Sequence, residues 1–597
     1  MKILRPNFLI IVSVGLFLFN IVKAQNLHFR SSETLNLGFS PALSPQKPTS
    51  PPINYFSPWV NHEFNRLSRR QKIAQLFMVA AYSNMFEEFS DSVGKVISRF
   101  QPGGLIFFQG GPVRESVLLN RYQKSLKVKA MVAMDAEWGL AMRLDSTLAY
   151  PYQMTLGALD SSALIFQMGG DIGRQLHRIG VQVNFAPVLD INNNIKNTVI
   201  NFRSFGENKF KVSEKGLEYI RGLQQVNILA TGKHFPGHGD TEVDSHSDLP
   251  KLPFSVARLD SLELYPFRRA IQSGIGGMMI AHMNIPAWDT TNHLPSSLSH
   301  NIVQKVLIDQ LGFQGLTFTD AMNMKGVLKY FPVGNAEFLA LNAGNDMIEM
   351  STNLRLSLKT IRKAIRKKQI SRDSIEKRCR KILAWKEWMG LSHYSPVVIE
   401  NLVNDLNTPV SNQLIQQLSD SSITLVRNEN SFLKNVRVKN QKGLILNINP
   451  GTIHILDSGL ALAYQIPIIN LIKNADSVYL DSIKLKLKAF DYLIILIHDS
   501  RLRPSSNLNY SKSLMNFISE IGVKTNSYIT LLANPYTLFR IPMISKATNL
   551  LITYQDANFT ENSALKFWLG KIPASGHLPV TIPGVYSYGE GIRSKIK

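Results

Sequence analysis

Between Lys233 and His246 the chain sets three histidines, two aspartates and a lysine within fourteen positions: Lys233-His234-Phe235-Pro236-Gly237-His238-Gly239-Asp240-Thr241, then Asp244-Ser245-His246. His234 and His238 are four apart, a spacing that would set two metal ligands on one helix face. Pro236-Gly237 lies between them and prevents the helix, so no metal site is expected. Proton transfer is the second chemistry open to the cluster, because an imidazole beside a carboxylate is oriented and basic enough to act near neutral pH. Asp244 and His246, at i and i+2 in a loop, are close enough to form such a pair, although a single loop histidine more often only satisfies hydrogen bonds. A third chemical group is Asp320, which ends the apolar run Leu316-Thr317-Phe318-Thr319. On local grounds it is equally a nucleophile or the N-cap of the following Ala321-Met322-Asn323-Met324.

The elements that must carry these groups are short β-rich runs with helical patterns between them. Eight recur: Gln75 to Tyr82, Gly103 to Phe108, Ala130 to Asp135, Val181 to Ile191, Ile228 to His234, Gly277 to His282, Leu316 to Asp320 and Asn345 to Met350. Several are almost continuously apolar, as strands covered on both faces must be. Alternating β and α segments argue for a parallel sheet, either an open doubly wound one or a (β/α)8 TIM-like barrel. Asp135, Asp190, Lys233, His234, His282 and Asp320 each sit at or just past the carboxyl end of a run, where a barrel gathers its active site, so the barrel is the expectation. Asp190 and Asp346 read as structural partners, Glu137 and His282 as weaker pocket candidates. Trp138 is either a ligand-stacking ring or, more commonly, a packed loop aromatic.

A second series follows: Ile423 to Arg427, Gly443 to Ile448, Tyr492 to His498, Tyr528 to Asn534 and Asn549 to Tyr554. It predicts a smaller α/β sandwich with no phosphate-cradling glycine loop. Ser431-Phe432-Leu433-Lys434 is an isolated S-x-x-K without the partners a serine β-lactamase would need.

Lys2 and Arg5 precede an apolar run from Phe8 to Val22 and a small-residue site at Val22-Lys23-Ala24, the pattern of an export signal. The expected organisation is a signal peptide at 1–24, a Ser/Pro-rich linker at 25–58, a catalytic barrel at 59–390, a linker at 391–409 and a sandwich domain at 410–597. The mature protein is expected to be periplasmic or secreted. Of the 597 residues, 44% are apolar and 18% charged, with one cysteine, which excludes a disordered chain and a disulfide scaffold. Cys379 falls on the apolar face of a helical pattern and reads as a small core residue. The net charge is +23. The basic run from Arg355 to Lys386 reads first as a solvated helix surface, with attraction to acidic envelope polymers as the alternative. No nucleic-acid partner is expected, and nothing indicates the oligomeric state.

The segment from Lys233 to Thr241, with Asp244-Ser245-His246, resembles the signature of the glycoside hydrolase family 3 β-N-acetylglucosaminidases, the NagZ-like branch. Supporting motifs occur in the family's order: Gln75-Leu76-Phe77-Met78, Pro102-Gly103-Gly104, Asp135-Ala136-Glu137-Trp138-Gly139, Asn184-Phe185-Ala186-Pro187-Val188, Arg203-Ser204-Phe205-Gly206 and Thr319-Asp320-Ala321-Met322-Asn323-Met324. Gly570 to Thr581 is similar to the end of the family's second domain. The resemblance implies a retaining mechanism with no cofactor. Asp320 would be the nucleophile, His246 paired with Asp244 the acid/base, and Asp135, Arg203, Lys233 and His234 the groups that hold sugar hydroxyls. His282 could line the same pocket. The implied substrate is a glycan, a GlcNAc-containing muropeptide or related oligosaccharide. A neutral imidazole adds no negative charge beside an incoming nucleophile, so a glycoside phosphorylase is a second reading. A non-catalytic envelope glycan-binding protein is a third.

Overall fold

The apolar runs become strands whose alternate side chains face opposite layers. In this computed structural model residues 51–242, 248–429, 441–499, 509–523 and 526–595 are described. The expected signal peptide, Asp244, His246 and the Ser431 to Lys434 motif lie outside the described residues.

The first eight strands are β1 (Phe77–Ala81), β2 (Gly104–Phe107), β3 (Met131–Met134), β4 (Val183–Asn184), β5 (Leu229–Phe235), β6 (Gly277–Ile280), β7 (Leu316–Thr319) and β8 (Ile348–Glu349). All neighbours pair in parallel in the order β7-β6-β5-β4-β3-β2-β1-β8. The ring closes between β7 and β8, where the Met347 amide donates to the Thr317 carbonyl (2.9 Å) and the Thr319 amide to the Met347 carbonyl (3.0 Å). The expected (β/α)8 barrel is therefore present. On β3, Met131 and Ala133 join the cluster that holds Phe185, Phe318 and Met347, while Val132 and Met134 join the cluster under the outer helices. This is the period of two that a doubly covered strand requires. Phe185 and Phe318 meet edge to face inside the ring, 5.3 Å between centroids.

The outer helices are amphipathic and capped. In Lys209–Gln224 the Asn208 side chain accepts the amides of Phe210 and Lys211, and Val212, Tyr219, Ile220 and Leu223 are buried. Cys379 is fully buried on the helix Arg372–Trp388, and burial pushes its thiol up to about 12. In the segment expected as the second linker, Leu402 and Leu406 are buried against the barrel, and Arg178 donates to Asp405 at 2.9 Å.

The second sheet contains β9 (Thr424–Asn428), β10 (Gly443–Ile448), β11 (Ile468–Leu471), β12 (Tyr492–His498), β13 (Ser527–Leu532) and β14 (Asn549–Ile552). Its order is β11-β10-β12-β13-β14-β9, parallel except for β9 against β14. Helices cover both faces, giving the expected sandwich. The two sheets belong to one compact unit. The Gln555 side chain accepts from the Tyr152 amide and the Thr155 hydroxyl, both at 2.9 Å, and Asn534 donates to Asn201 at 2.7 Å.

Candidate active site

Lys233 is 2% exposed on β5, and a buried ammonium is tolerable only when paired. Its Nζ lies 2.7 Å from Asp135 Oδ1 and 2.8 Å from Glu137 Oε1. Asp135 leaves the end of β3 in the inward row of Met131 and Ala133, and it also pairs with Arg143. Glu137 is fully enclosed and is held by Arg203, with Nη2 to Oε1 at 2.6 Å and Nε to Oε2 at 2.9 Å. Burial alone would raise both carboxyl pKa values. The Lys233 and Arg143 charges hold Asp135 well below the usual carboxylate range, and Arg203 with Lys233 brings Glu137 down to about 2.

His234 follows Lys233 through a cis peptide bond. Its Nδ1 donates to Asp190 Oδ2 at 2.8 Å, and its Nε2 faces Arg203 Nη2 at 3.3 Å. A guanidinium can only donate, so Nε2 is the acceptor. Asp190 also receives the amides of His234 and His238, the latter at 2.7 Å. It is the structural partner expected, pinning the turn after β5. Gly237 in that turn has φ of +130°, and a Cβ there would stand 2.9 Å from Glu263 Cβ. Burial brings His238 down to about 4, so it is neutral at pH 7.

Arg203 comes from a short 3-10 turn, Asn201–Arg203. Asn534 of the second sheet's β13 loop holds Asn201, and Phe202 packs against Tyr152 (4.9 Å) and Trp138 (5.9 Å). Trp138 also meets Tyr152 edge to face at 5.0 Å. It is thus the packed loop aromatic, and the second domain supports the turn that carries Arg203.

Asp320 stands at the tip of β7, in the inward row of Leu316 and Phe318. Its amide donates to the Ile280 carbonyl at 2.9 Å, and its Oδ1 accepts the Ala321 amide at 2.8 Å. His282, the weaker pocket candidate, lies beside the Asp320 turn. It is fully buried, its Nε2 donates to the Ala321 carbonyl (3.2 Å), and Ser297 Oγ sits 2.7 Å from its Nδ1. Both ring nitrogens are thus engaged. Asp346 accepts from Lys381 at 2.8 Å and from Thr317, a structural role.

Two further residues belong to the mouth. Arg143 returns to Asp135 across the 3-10 turn Leu140–Met142, with its guanidinium 4.7 Å from the centre of the Phe108 ring. Glu349 ends β8; burial, reinforced by the charges of Asp135 and Asp320, pushes its carboxyl well above the ordinary value. Asp244 and His246 lie outside the described residues. Asp248 bonds to Lys329 Nζ (2.8 Å) and Tyr330 Oη (3.2 Å) in the segment after the Asp320 turn.

Among the described residues one group has metal-ligating potential, and it lies in the second sheet. His498, Asp556 and Glu561 bring ligand atoms within 4.8 Å of one another at the carboxyl end of the second sheet. There His498 Nδ1 pairs with Asp556 Oδ2 at 3.1 Å, and Glu561 Oε2 caps the amides of Ile455 and Leu456.

A closed parallel barrel with acids and cations converging at the carboxyl ends of its strands is the architecture of a barrel enzyme. Residues 68–385 match the family model described as "Glycosyl hydrolase family 3 N terminal domain", and the chain belongs to glycosyl hydrolase family 3. It is 32% identical over 286 residues to a β-hexosaminidase A of Pseudoalteromonas piscicida, covering 44% of this chain and 48% of that one. The chain thus spans about half the length of that relative. It is 24% identical to a β-N-acetylglucosaminidase/β-glucosidase of Cellulomonas fimi over 87% of this chain and 95% of the other. A solved family 3 β-N-acetylglucosaminidase from Paenibacillus sp. str. FPU-7 superposes with a TM-score of 0.73 at 27% identity, covering 86% of this chain and 99% of that chain.

Proposed function

We propose that this protein is a retaining exo-β-N-acetylglucosaminidase, exported from the cytoplasm, that removes terminal GlcNAc from peptidoglycan fragments or related oligosaccharides. The observation that carries the reading is the placement of Asp320 at the tip of β7, in a mouth that also holds Asp135, Lys233, Arg203 and His234. The relatives' names support GlcNAc as the sugar. Export rests on the apolar run Phe8 to Val22.

In the first displacement the Asp320 carboxylate bonds to the anomeric carbon as the glycosidic C–O bond breaks, and the leaving oxygen takes a proton from the His246 imidazolium. In the second, neutral His246 removes a proton from water, the water oxygen bonds to the anomeric carbon, and Asp320 departs. Asp244 orients the ring. Support for this assignment comes from Asp248, two residues beyond His246, which is tied to the segment following Asp320. Asp135 accepts from sugar hydroxyls, while Lys233, Arg143 and Arg203 keep the neighbouring carboxylates ionised.

The test is turnover of p-nitrophenyl β-N-acetylglucosaminide, with product analysis on GlcNAc-MurNAc fragments and chitobiose, with and without phosphate. Release of p-nitrophenol and of free GlcNAc is expected. A sugar 1-phosphate formed only with phosphate would make the protein a phosphorylase. Retained glycan with no cleavage would make it a binding protein.

A further inference from the structure

Side chains of a barrel strand alternate between interior and exterior, so an inward row extends upward by every second residue. Met347 faces the interior with Phe318 and Ala133, and Glu349 is the next member of its row; the adjacent β7 row ends in Asp320 and the β3 row in Asp135, both near enough for their charges to act on it. The backbone of Glu349 is fastened on either side of Asp320: its amide donates to Thr319 Oγ1 (3.1 Å), and its carbonyl accepts the Met322 amide (3.0 Å). The residue is 3% exposed, and its Oε2 has no hydrogen-bond partner among the described residues.

Glu137 is equally deep and Asp135 only slightly less so, yet each touches a cation. Glu349 has no such contact among the described ion pairs and stands near two other acids. The ionisable groups whose charges reach it are Asp135 from β3, Asp320 after β7, Lys233 from β5 and Arg143 from the turn after β3; Tyr82 after β1 responds to it in turn. Burial and two neighbouring acids both favour the protonated form of a carboxyl so placed, and a protonated acid can donate where an ionised one only accepts. Sugar hydroxyls need both kinds of partner, and the mouth already offers an acceptor in Asp135.

We propose that Glu349 is a further substrate-contacting residue, a carboxylic acid that donates a hydrogen bond to a hydroxyl of the sugar held in the barrel mouth. The proposal rests on the glycosidase reading above. It makes Glu349 a determinant of which sugar is held and up to what pH. On ionisation the residue loses its donor and adds negative charge beside Asp320.

The experiment compares kcat and KM for p-nitrophenyl β-N-acetylglucosaminide from pH 5 to 9 in wild type, E349L and E349Q, with thermal unfolding of each at pH 5 and pH 8. E349L is expected to raise KM about tenfold with a smaller change in kcat, one hydrogen bond's worth. E349Q, which keeps a donor but cannot ionise, is expected to recover KM to within about threefold and to lack the alkaline rise in KM expected of wild type. Because the folded pKa is raised, wild type is stabilised relative to E349Q below the unfolded value near 4.5, and that advantage disappears as pH rises. E349Q therefore gains in melting temperature against wild type between pH 5 and pH 8. Wild-type KM in E349L, or E349Q as impaired as E349L, overturns the proposal. If wild type does not turn over the glycoside, the glycosidase reading fails separately. The same three proteins are then compared by calorimetric titration with N-acetylglucosamine, where equal Kd values overturn the role of Glu349.

Discussion

Both sheets deliver ionisable side chains to the carboxyl ends of parallel strands, but the barrel mouth and the second sheet's edge are built differently. In the barrel, strands closed into a ring aim their last residues at one axis, so Asp135, Glu137, Lys233, Arg143 and Arg203 meet and compensate one another. The second sheet is open and its strands do not converge. Among the described residues His498, Asp556 and Glu561 meet there with no lysine or arginine paired to them, and Nε2, Oδ1 and Oε1 respectively lack partners. Burial keeps Glu561 above its usual pKa, whereas cations keep Asp135 and Glu137 below theirs. Closure creates a place where charge is concentrated and neutralised, as the proposed sugar site requires. The open edge joins a strand end to the helix start at Ile455, which is a structural function.

Substitution at the two places should therefore separate activity from stability. The largest effect is expected for Asp320→Ala, which should lower kcat for the chromogenic glycoside by about 10⁴-fold or more while leaving the melting temperature near wild type. Lys233→Ala should come next, leaving two buried carboxylates without one of their cations. A stability loss of about 3 kcal/mol in denaturant titrations is expected, with kcat/KM reduced in addition. Acidification should act on the mouth in the same direction. Depressed folded pKa values give stability that is complete above the unfolded values and lost as pH falls. His238 contributes to that loss between about 6.5 and about 4, and Glu137 between about 4.5 and about 2, with on the order of 3 kcal/mol from Glu137. Melting curves from pH 7 to pH 3 would show the decline. The smallest effect on catalysis is expected at the open edge: His498→Ala should cost about 1–3 kcal/mol of stability and leave kcat/KM within about twofold. A large catalytic loss there would erase the distinction between the two regions.

Much of this arrangement was legible in the sequence because covered strands must be apolar along their length and because their polar ends stand out against that background. β5 and β7 are the plainest cases. β4 was expected from Val181 to Ile191, but only Val183–Asn184 keeps regular pairing, since Pro187 has no amide to donate. β11 gave no comparable signal because it is an edge strand, short and half-exposed, after Pro467. Within the site, Asp135, Arg203, Lys233 and His234 were marked by motifs. Arg143 and Glu349 were not: their importance depends on which strands become neighbours once the ring closes, and no local spacing encodes that. The partners of His282 were not legible for the same reason, since Ser297 and Ala321, which meet its ring nitrogens, are remote from it in the chain.

The central claim, that Asp320 forms a covalent bond to the sugar, can be tested by trapping. Wild-type protein incubated with a 5-fluoro analogue of β-N-acetylglucosaminyl fluoride and examined by intact-mass and peptide mass spectrometry should gain one fluorosugar, located on the peptide carrying Asp320. An adduct on another side chain, or cleavage of the chromogenic glycoside that persists undiminished in Asp320→Ala, would contradict the account.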